Sequence, residues 1–225
     1  MMMGILLLAA SFAAGGDTPV SEKYRGHENV EWSISYAFGL TEPKEKDLPR
    51  VLIVGDSICN YCREDIRGFL KGKMNVSWWF SSYCVTSPEY LRILAFKLDE
   101  AKCAVVHFNN GLHSLWTPTE DYVAAYEQAI RLIRKKQPEA RIIWMNSTPV
   151  LDDYKSAKVK ELNAALGRMM KEKFPEIPLN DLNAVMSSAP EAEAFADTCH
   201  PKPEMAKKMG SSCMTVGVRS LHNLI

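Results

Sequence analysis

Residues 51–62 read VLIVGDSICNYC, and the organisation of the whole chain follows from this segment. Its first residues form an apolar run, which favours a strand that is covered on both faces. A Gly-Asp-Ser turn follows, and then two cysteines separated by two residues. Two groups in this stretch are candidates for chemistry: the Ser57 hydroxyl, and the thiols of Cys59 and Cys62.

From Arg50 onward, short apolar runs alternate with longer stretches of helical spacing. Strands are predicted at residues 50–55, 74–79, 104–108, 141–146 and 177–182, and helices at residues 62–70, 88–100, 119–136, 157–174 and 202–225. This alternation predicts an α/β fold with three layers, in which a flavodoxin-like, doubly wound, mainly parallel five-stranded sheet lies between helices. In such a sheet, ligands bind outside the carboxyl ends of the strands.

The first 14 residues are apolar, in a run too short to cross a bilayer as a helix. Small residues at Ser11 and Ala13 suit cleavage, although no Lys or Arg precedes the apolar run. We therefore predict a signal peptide at residues 1–14, a secreted or periplasmic protein, and no membrane span in the mature chain. The alternative is an apolar terminus of a cytosolic protein.

Residues 15–49 do not join the alternation of strands and helices. We expect them to form an N-terminal extension that packs on the domain of residues 50–225. A strand or extended arm is predicted within the extension, because apolar residues occupy every second position at Trp32, Ile34, Tyr36 and Phe38.

The composition limits the choice of partner. The chain has 225 residues, of which 47% are hydrophobic and 24% are charged, which is enough for one globular domain. Its 27 basic and 27 acidic side chains cancel to a net charge of +0. Neither nucleic acid nor an anionic membrane surface is therefore an expected partner, and the sequence does not indicate an oligomeric state.

Ser57 comes two residues after the apolar run ends at Gly55, so its hydroxyl should emerge at the carboxyl edge of the first strand. Gly55 permits a tight exit, and the backbone N–H groups of a following helix stabilise negative charge beside a serine. A serine in this place is also a common helix N-cap, and the tripeptide alone does not separate the two roles.

The segment DTCH, Asp197 to His200, supplies the partners that a nucleophilic serine needs. An acid three residues before a histidine can bond one ring nitrogen and leave the other free to take a proton from Ser57. The commoner explanation of a lone Asp-x-x-His is a helix-start carboxylate beside a surface histidine. Its position after the last predicted strand favours the first reading.

The segment HFNNGLH, residues 107–113, follows a predicted strand. Asparagine amides in this place can donate to an oxyanion, although Asn-Gly is also an ordinary turn signal. His107 should lie in the strand and belong to the core. His113 is a candidate for contact with substrate, or a structural residue of the turn.

The sequence resembles the GDSL or SGNH hydrolase family in three places: GDSI after the first strand, the asparagine-rich turn after the third strand, and Asp-x-x-His near the end. The resemblance covers residues 50–225, and the segments KGKMNV and LNDL are similar to its bacterial, often carbohydrate-active, branch. It implies the SGNH hydrolase fold, with Ser57 as the nucleophile, His200 as the general base and Asp197 as its orienting acid. Asp56 of the motif and His113 are implied substrate contacts.

Members of the family share several short sequence blocks, and the resemblance implies three oxyanion donors. These are the backbone N–H of Ser57, the residue that stands at the glycine of the family's second block, and an asparagine of its third block. The second block corresponds to SSYCVTS in this sequence, where Cys84 replaces the glycine. A side chain at this position is costly if the backbone needs a positive φ. In the third block, the donor asparagine is shifted by one residue relative to the family's pattern. Asn110 is therefore the preferred donor and Asn109 the alternative.

The six cysteines allow other interpretations. Cys59 and Cys62 have the spacing of a redox pair, and Cys59, Cys62, Cys199 and His200 are suitable ligands for zinc. The zinc site would use the histidine that the serine needs, so neither a metal nor another cofactor is expected. A disulfide among Cys59, Cys84 and Cys199 is the structural hypothesis.

We therefore expect a serine esterase that acts through an acyl-serine intermediate. Its expected substrate is a small acyl ester, acetyl in particular, on a carbohydrate or another small molecule; this choice comes from the resemblance. The alternatives are a glycan-binding protein that has lost catalysis, and a lipase or thioesterase. The tryptophans near the loops, Trp78, Trp79 and Trp116, are candidates for a platform that stacks sugar rings, although tryptophans near loops are more often packed in the interior.

Overall fold

The computed structural model describes residues 31–37 and 48–221. The predicted signal peptide and Phe38 lie outside the described residues. None of the helices in the described part is long and apolar enough to cross a membrane.

Six strands form one sheet: β1 Ser33–Ala37, β2 Arg50–Gly55, β3 Asn75–Ser81, β4 Val105–Phe108, β5 Arg141–Met145 and β6 Leu179–Asn180. Their order across the sheet is β1-β3-β2-β4-β5-β6. Strands β2 to β6 pair in parallel, and β1 pairs antiparallel with β3 at the edge. The five strands predicted after Arg50 are all present, and the strand predicted in the N-terminal extension makes a sixth.

The order of the strands across the sheet reverses at β2, which pairs with β3 on one side and with β4 on the other. The connection after β2 leads to one of these neighbours, and the connection after β3 leads back across β2 to the other. The carboxyl ends of strands at such a point border a crevice, which is the usual ligand site of a doubly wound sheet. The Gly-Asp-Ser turn of the sequence lies at this crevice.

The described helices are α1 Ser57–Leu70, α2 Pro88–Asp99, α3 Thr119–Lys136, α4 Asp153–Lys173, α5 Leu182–Ser187, α6 Glu191–Ala194 and α7 Pro203–Leu221, with one turn of 3₁₀ helix at Leu112–Ser114. Helix α1 begins at Ser57, five residues earlier than the predicted start at Cys62. The Asp56 carboxylate explains the early start, because it accepts a hydrogen bond from the Ile58 N–H and caps the first turn. The short helices α5 and α6 were not predicted.

The sheet has a hydrophobic core on each face. Leu52 and Val54 of β2 join a cluster beneath α2, α3 and α4, whereas Val51 and Ile53 join a second cluster beneath α1, α5 and α7. Successive side chains of a strand point to opposite faces, and both faces of β2 are buried. The run VLIV is therefore apolar at every position.

Glycines at two positions allow close packing near the end of β2. A Cβ added to Gly55 would lie 2.4 Å from the Cys59 Sγ, so Gly55 lets the first turn of α1 fold back over the strand. A Cβ at Gly210 in α7 would lie 3.0 Å from the Cβ of Asp65 in α1. Helices α1 and α7 therefore pack in direct contact.

His107 occupies the core, as predicted from its place in the strand. Its side chain is 2% exposed, and its Nδ1 has no hydrogen-bond partner. Burial lowers the pKa of His107 from 6.5 to about 4, because the charged ring loses its hydration. Between these two pH values the unfolded chain binds a proton at this position that the folded chain does not.

We expect the free energy of unfolding to fall as the pH drops from 6.5 towards 4, with His107 contributing up to about 3 kcal/mol of the fall. The variant His107→Leu should show a smaller difference in unfolding free energy between pH 7.5 and pH 5, measured by urea denaturation. The change in packing affects both pH values alike and cancels in this difference. An equal difference in the two proteins would contradict the assignment.

Candidate active site

Ser57 lies at the N-terminus of α1, in the crevice at the end of β2. Its side chain is half-buried, whereas the preceding Asp56 is buried and caps the helix. The N-terminal backbone N–H groups of a 14-residue helix carry partial positive charge. A negatively charged oxygen next to Ser57 would therefore be stabilised.

His200 reaches Ser57 from the other end of the sequence. The His200 Nε2 lies 2.9 Å from the Ser57 Oγ, although 143 positions separate the two residues. The His200 Nδ1 lies 2.7 Å from the Oδ2 of Asp197. With a proton on Nδ1, the Nε2 lone pair faces the serine hydroxyl, which is the arrangement that a general base needs.

The Asp197 carboxylate is held by its own loop. Its Oδ1 accepts hydrogen bonds from the backbone N–H groups of Cys199, at 2.9 Å, and His200, at 2.8 Å. These two bonds, followed by the bond from the His200 ring, keep the pKa of Asp197 well below its usual range. The carboxylate thus stays ionised and keeps the histidine oriented.

The loop that carries these two residues is closed at its base. Phe195 and Pro201 form an antiparallel bridge, and the Ala196 N–H donates to the carbonyl of His200 at 2.9 Å. The loop is also bonded to the segment after β5, because the Leu151 N–H donates to the carbonyl of Thr198. The segment DTCH is therefore a short, braced hairpin that leads into α7.

Tyr61 is a member of the site that the sequence analysis missed. Its ring stacks on the His200 ring, with centroids 4.6 Å apart and planes 20° from parallel. Tyr61 lies four residues after Ser57 on α1, and such residues share one face of a helix. That spacing is the signal that could have identified it. The face of an aromatic ring favours a cation, so the stack supports the imidazole when it gains a proton.

Cys84 and Asn110, two of the predicted oxyanion donors, lie together. The Asn110 carboxamide donates to the carbonyl of Tyr83 at 2.8 Å and accepts from the Val85 N–H at 3.1 Å, so it bonds the residues on both sides of Cys84. The Cys84 thiol donates to the carbonyl of His113 at 2.8 Å. No described residue except Gly72 has a positive φ, so the side chain of Cys84 carries no backbone strain.

Asn109, the alternative donor, makes a different contact. Its amide donates to the carbonyl of Met145 at 2.9 Å and thereby joins the ends of β4 and β5. It lines a small crevice that also includes Asp56. The two neighbouring asparagines thus lie on different sides of the turn after β4, with Asn109 bonded to the end of β5 and Asn110 to the segment after β3.

A cavity of about 370 Å³ opens in front of Ser57. Its lining combines the histidines and the DTCH loop with apolar groups and two charged side chains: Ser57, Leu112, His113, Leu115, Trp116, Val150, Asp152, Lys155, Thr198, Cys199 and His200. Of the predicted substrate contacts, His113 lines this cavity and Asp56 does not. Of the predicted oxyanion donors, all of which are described, Ser57 alone is part of the lining.

Two of the three tryptophans considered for a platform are packed in the core, and the third is exposed. Trp78 is 7% exposed and Trp79 is fully buried, because both faces of β3 are covered. Tyr36 of the edge strand β1 stacks on Trp78 at 4.6 Å, and the Trp79 Nε1 donates to the Ser33 Oγ. Trp116 is half exposed and lines the cavity.

The cysteine hypotheses do not fit the structure. All six cysteines are described, and each is a free thiol. Cys59 and Cys62 are buried on the inner side of α1, where the loss of hydration raises their thiol pKa well above its usual value, so a reactive redox pair is wrong. Among the described residues, the cluster with metal-ligand geometry is Asp197, Cys199 and His200, which includes neither of these thiols.

Comparison with known proteins identifies the class of fold. No family model matches the chain, and no curated protein does so by sequence. Solved structures do match: a GDSL-like lipase from Bacteroides thetaiotaomicron has a TM-score of 0.64 at 17% identity, over 80% of this chain and 91% of that one.

Two further matching structures are those of esterases. An acetyl esterase mutant solved with an acetate ion has a TM-score of 0.63 at 13% identity, over 79% of this chain and 100% of that one. A carbohydrate esterase of family 3 from Talaromyces cellulolyticus has a TM-score of 0.63 at 14% identity, over 78% and 99%. The chain therefore has the fold of the GDSL and SGNH hydrolases.

The two asparagines can be separated by mutation. We expect Asn110→Ala to lower kcat for ester hydrolysis roughly 100- to 1,000-fold, as for the loss of an oxyanion donor, and Asn109→Ala to lower it by less than about tenfold. Ser114→Ala is the control, because it removes the 2.6 Å bond from the Ser114 hydroxyl to the Asn110 Oδ1 and leaves the amide in place.

All three variants should first be shown to be folded by thermal melting, and kcat should be compared below the lowest melting temperature. A larger loss in Asn109→Ala than in Asn110→Ala would assign the donor to Asn109. A loss in Ser114→Ala as large as that in Asn110→Ala would mean that Asn110 acts only by bracing the loop.

Proposed function

We propose that this protein is a serine esterase that removes a small acyl group, acetyl in particular, from a carbohydrate. The observation that carries the proposal is the chain of contacts from the Ser57 Oγ through the His200 ring to the Asp197 carboxylate. The same three residue types, in the same contacts, activate serine nucleophiles on several unrelated folds.

In the proposed mechanism, the Ser57 Oγ attacks the carbonyl carbon of the ester while the His200 Nε2 takes the hydroxyl proton. The tetrahedral intermediate collapses as the bond to the alcohol oxygen breaks, and His200 gives its proton to that oxygen. Water then attacks the acyl-serine with His200 again as the base. The acid leaves, and the Ser57 hydroxyl is restored.

Negative charge develops on the carbonyl oxygen in both steps. The proposed donors are the backbone N–H of Ser57 at the start of α1, the backbone N–H of Cys84, and the amide of Asn110. Support for the last two comes from their adjacency, since Asn110 bonds the residues on both sides of Cys84. Asp197 holds His200 throughout, and Tyr61 covers one face of the imidazole.

The comparisons and the lining of the cavity support the proposed substrate class. Two structures with the same fold are an acetyl esterase solved with an acetate ion and a carbohydrate esterase of family 3. The cavity at Ser57 combines apolar with charged lining residues, as expected for an ester of a polar alcohol. A lipase is the competing proposal, because another structure with this fold is a GDSL-like lipase.

The first test is hydrolysis of p-nitrophenyl acetate. We expect turnover by the wild type and a loss of at least roughly 10,000-fold in kcat for Ser57→Ala, since that variant lacks the nucleophile. Ser187→Ala is the control, because Ser187 is an exposed serine at the end of α5. The proposal for a small acyl group predicts higher kcat/KM on the acetate than on the octanoate ester.

Equal rates for wild type and Ser57→Ala would reject Ser57 as the nucleophile. Preference for the octanoate would favour the lipase. Absence of turnover on all esters, combined with binding of glycans, would favour a binding protein that has lost catalysis.

A further inference from the structure

Two aromatic side chains near the catalytic cavity are exposed to solvent. Trp116 is 50% exposed and Tyr154 is 71% exposed. Their rings face each other loosely, with centroids 6.1 Å apart and planes 30° from parallel. Trp116 follows the 3₁₀ turn after β4, and Tyr154 lies in the first turn of α4 after β5. Both therefore lie at the carboxyl edge of the sheet, as Ser57 does.

The aromatic pair lines a groove that continues from the catalytic cavity. This groove has a volume of about 340 Å³, and both rings contribute to its wall. It shares Leu115 and Trp116 with the cavity at Ser57. A ligand with its ester at Ser57 can thus extend past Trp116 onto Tyr154.

The polar groups of the groove indicate what kind of ligand fits. Lys158 and Glu161 line it, and the Lys158 Nζ lies 3.0 Å from the Glu161 carboxylate and 2.8 Å from the Thr119 hydroxyl. Lys155 is a further charged group, in the wall of the neighbouring cavity. The hydrocarbon of an acyl chain cannot form hydrogen bonds with these groups. A pyranose ring places its C–H groups on an aromatic face and its hydroxyls against charged and hydroxyl side chains.

We propose that Trp116 and Tyr154 form a subsite for a sugar ring in the alcohol part of the ester. This inference rests on the proposed esterase function, and it adds that the substrate is an ester of an oligosaccharide rather than of a single small alcohol. The subsite binds a part of the substrate that does not react. The ring stacks equally in the bound substrate and in the transition state, so its contribution is to KM, with kcat nearly unchanged.

The test compares two acetate esters that differ in the alcohol. One is an acetylated xylo-oligosaccharide, and the other is ethyl acetate, which has no ring to stack on Trp116. For Trp116→Ala and Tyr154→Ala we expect kcat/KM on the oligosaccharide to fall about tenfold each, through KM. Tyr154 lines the groove and not the cavity at Ser57, so Tyr154→Ala should leave kcat/KM on ethyl acetate within about twofold of the wild type. Trp116→Phe and Tyr154→Phe should retain most of the oligosaccharide activity.

Phe96→Ala is the matched control, because Phe96 is an aromatic residue of α2 that is 63% exposed and lines neither the cavity nor the groove. It should not change either activity. An equal fall on both esters in Tyr154→Ala would show that this ring supports the catalytic centre, and would overturn the subsite. So would unchanged activity on both esters, or a loss confined to long-chain acyl esters.

A binding measurement separates failure of the subsite from failure of the esterase proposal. Ser57→Ala should bind the deacetylated xylo-oligosaccharide in calorimetry, and Ser57→Ala combined with Trp116→Ala and Tyr154→Ala should bind it at least tenfold more weakly. Equal affinities would overturn the subsite even if the wild type hydrolyses esters. A tenfold difference would support the subsite even if the wild type has no esterase activity.

Discussion

The candidate site depends on one long-range contact, the 2.9 Å approach of the His200 Nε2 to the Ser57 Oγ. Ser57 begins α1, and His200 lies three residues before α7 begins at Pro203. These two helices pack directly on one face of the sheet, where Gly210 leaves room for the side of α1 at Asp65. Helix packing in the core therefore brings the two segments together, and the braced hairpin before α7 completes the placement of His200.

Hydrogen bonds of the backbone determine the rest of the geometry. Asp197 accepts from two N–H groups of its own loop before it accepts from the His200 ring, and the bridge between Phe195 and Pro201 closes that loop. The carboxylate is consequently oriented by local structure, although about half of its side chain is exposed to solvent. Orientation of this kind does not need burial, and it keeps the imidazole in the tautomer that faces the serine.

Much of this could be predicted from the sequence because the informative signals were local. Continuous apolar runs identified the strands. The Gly-Asp-Ser turn after the first strand and the Asp-x-x-His spacing after the last identified the three residues that meet. What the sequence left open depends on contacts between distant segments. Trp78 could be packed or belong to a binding platform, and the structure shows that Tyr36 of the edge strand covers it, a pairing that is not visible in the local pattern. The adjacency of Asn110 to Cys84 depends on the register of two loops, which no local signal fixes.

The groups proposed for reaction and those proposed for recognition lie on different parts of the molecule. The former belong to the start of α1 and to the hairpin before α7, whereas Trp116 follows the 3₁₀ turn after β4 and Tyr154 lies in the first turn of α4. The segment after β5 contacts that hairpin through a backbone hydrogen bond, from the Leu151 N–H to the Thr198 carbonyl. The side chains of Trp116 and Tyr154 can therefore change without removing this bond. A site divided in this way can keep the proposed chemistry while the alcohol that it accepts changes.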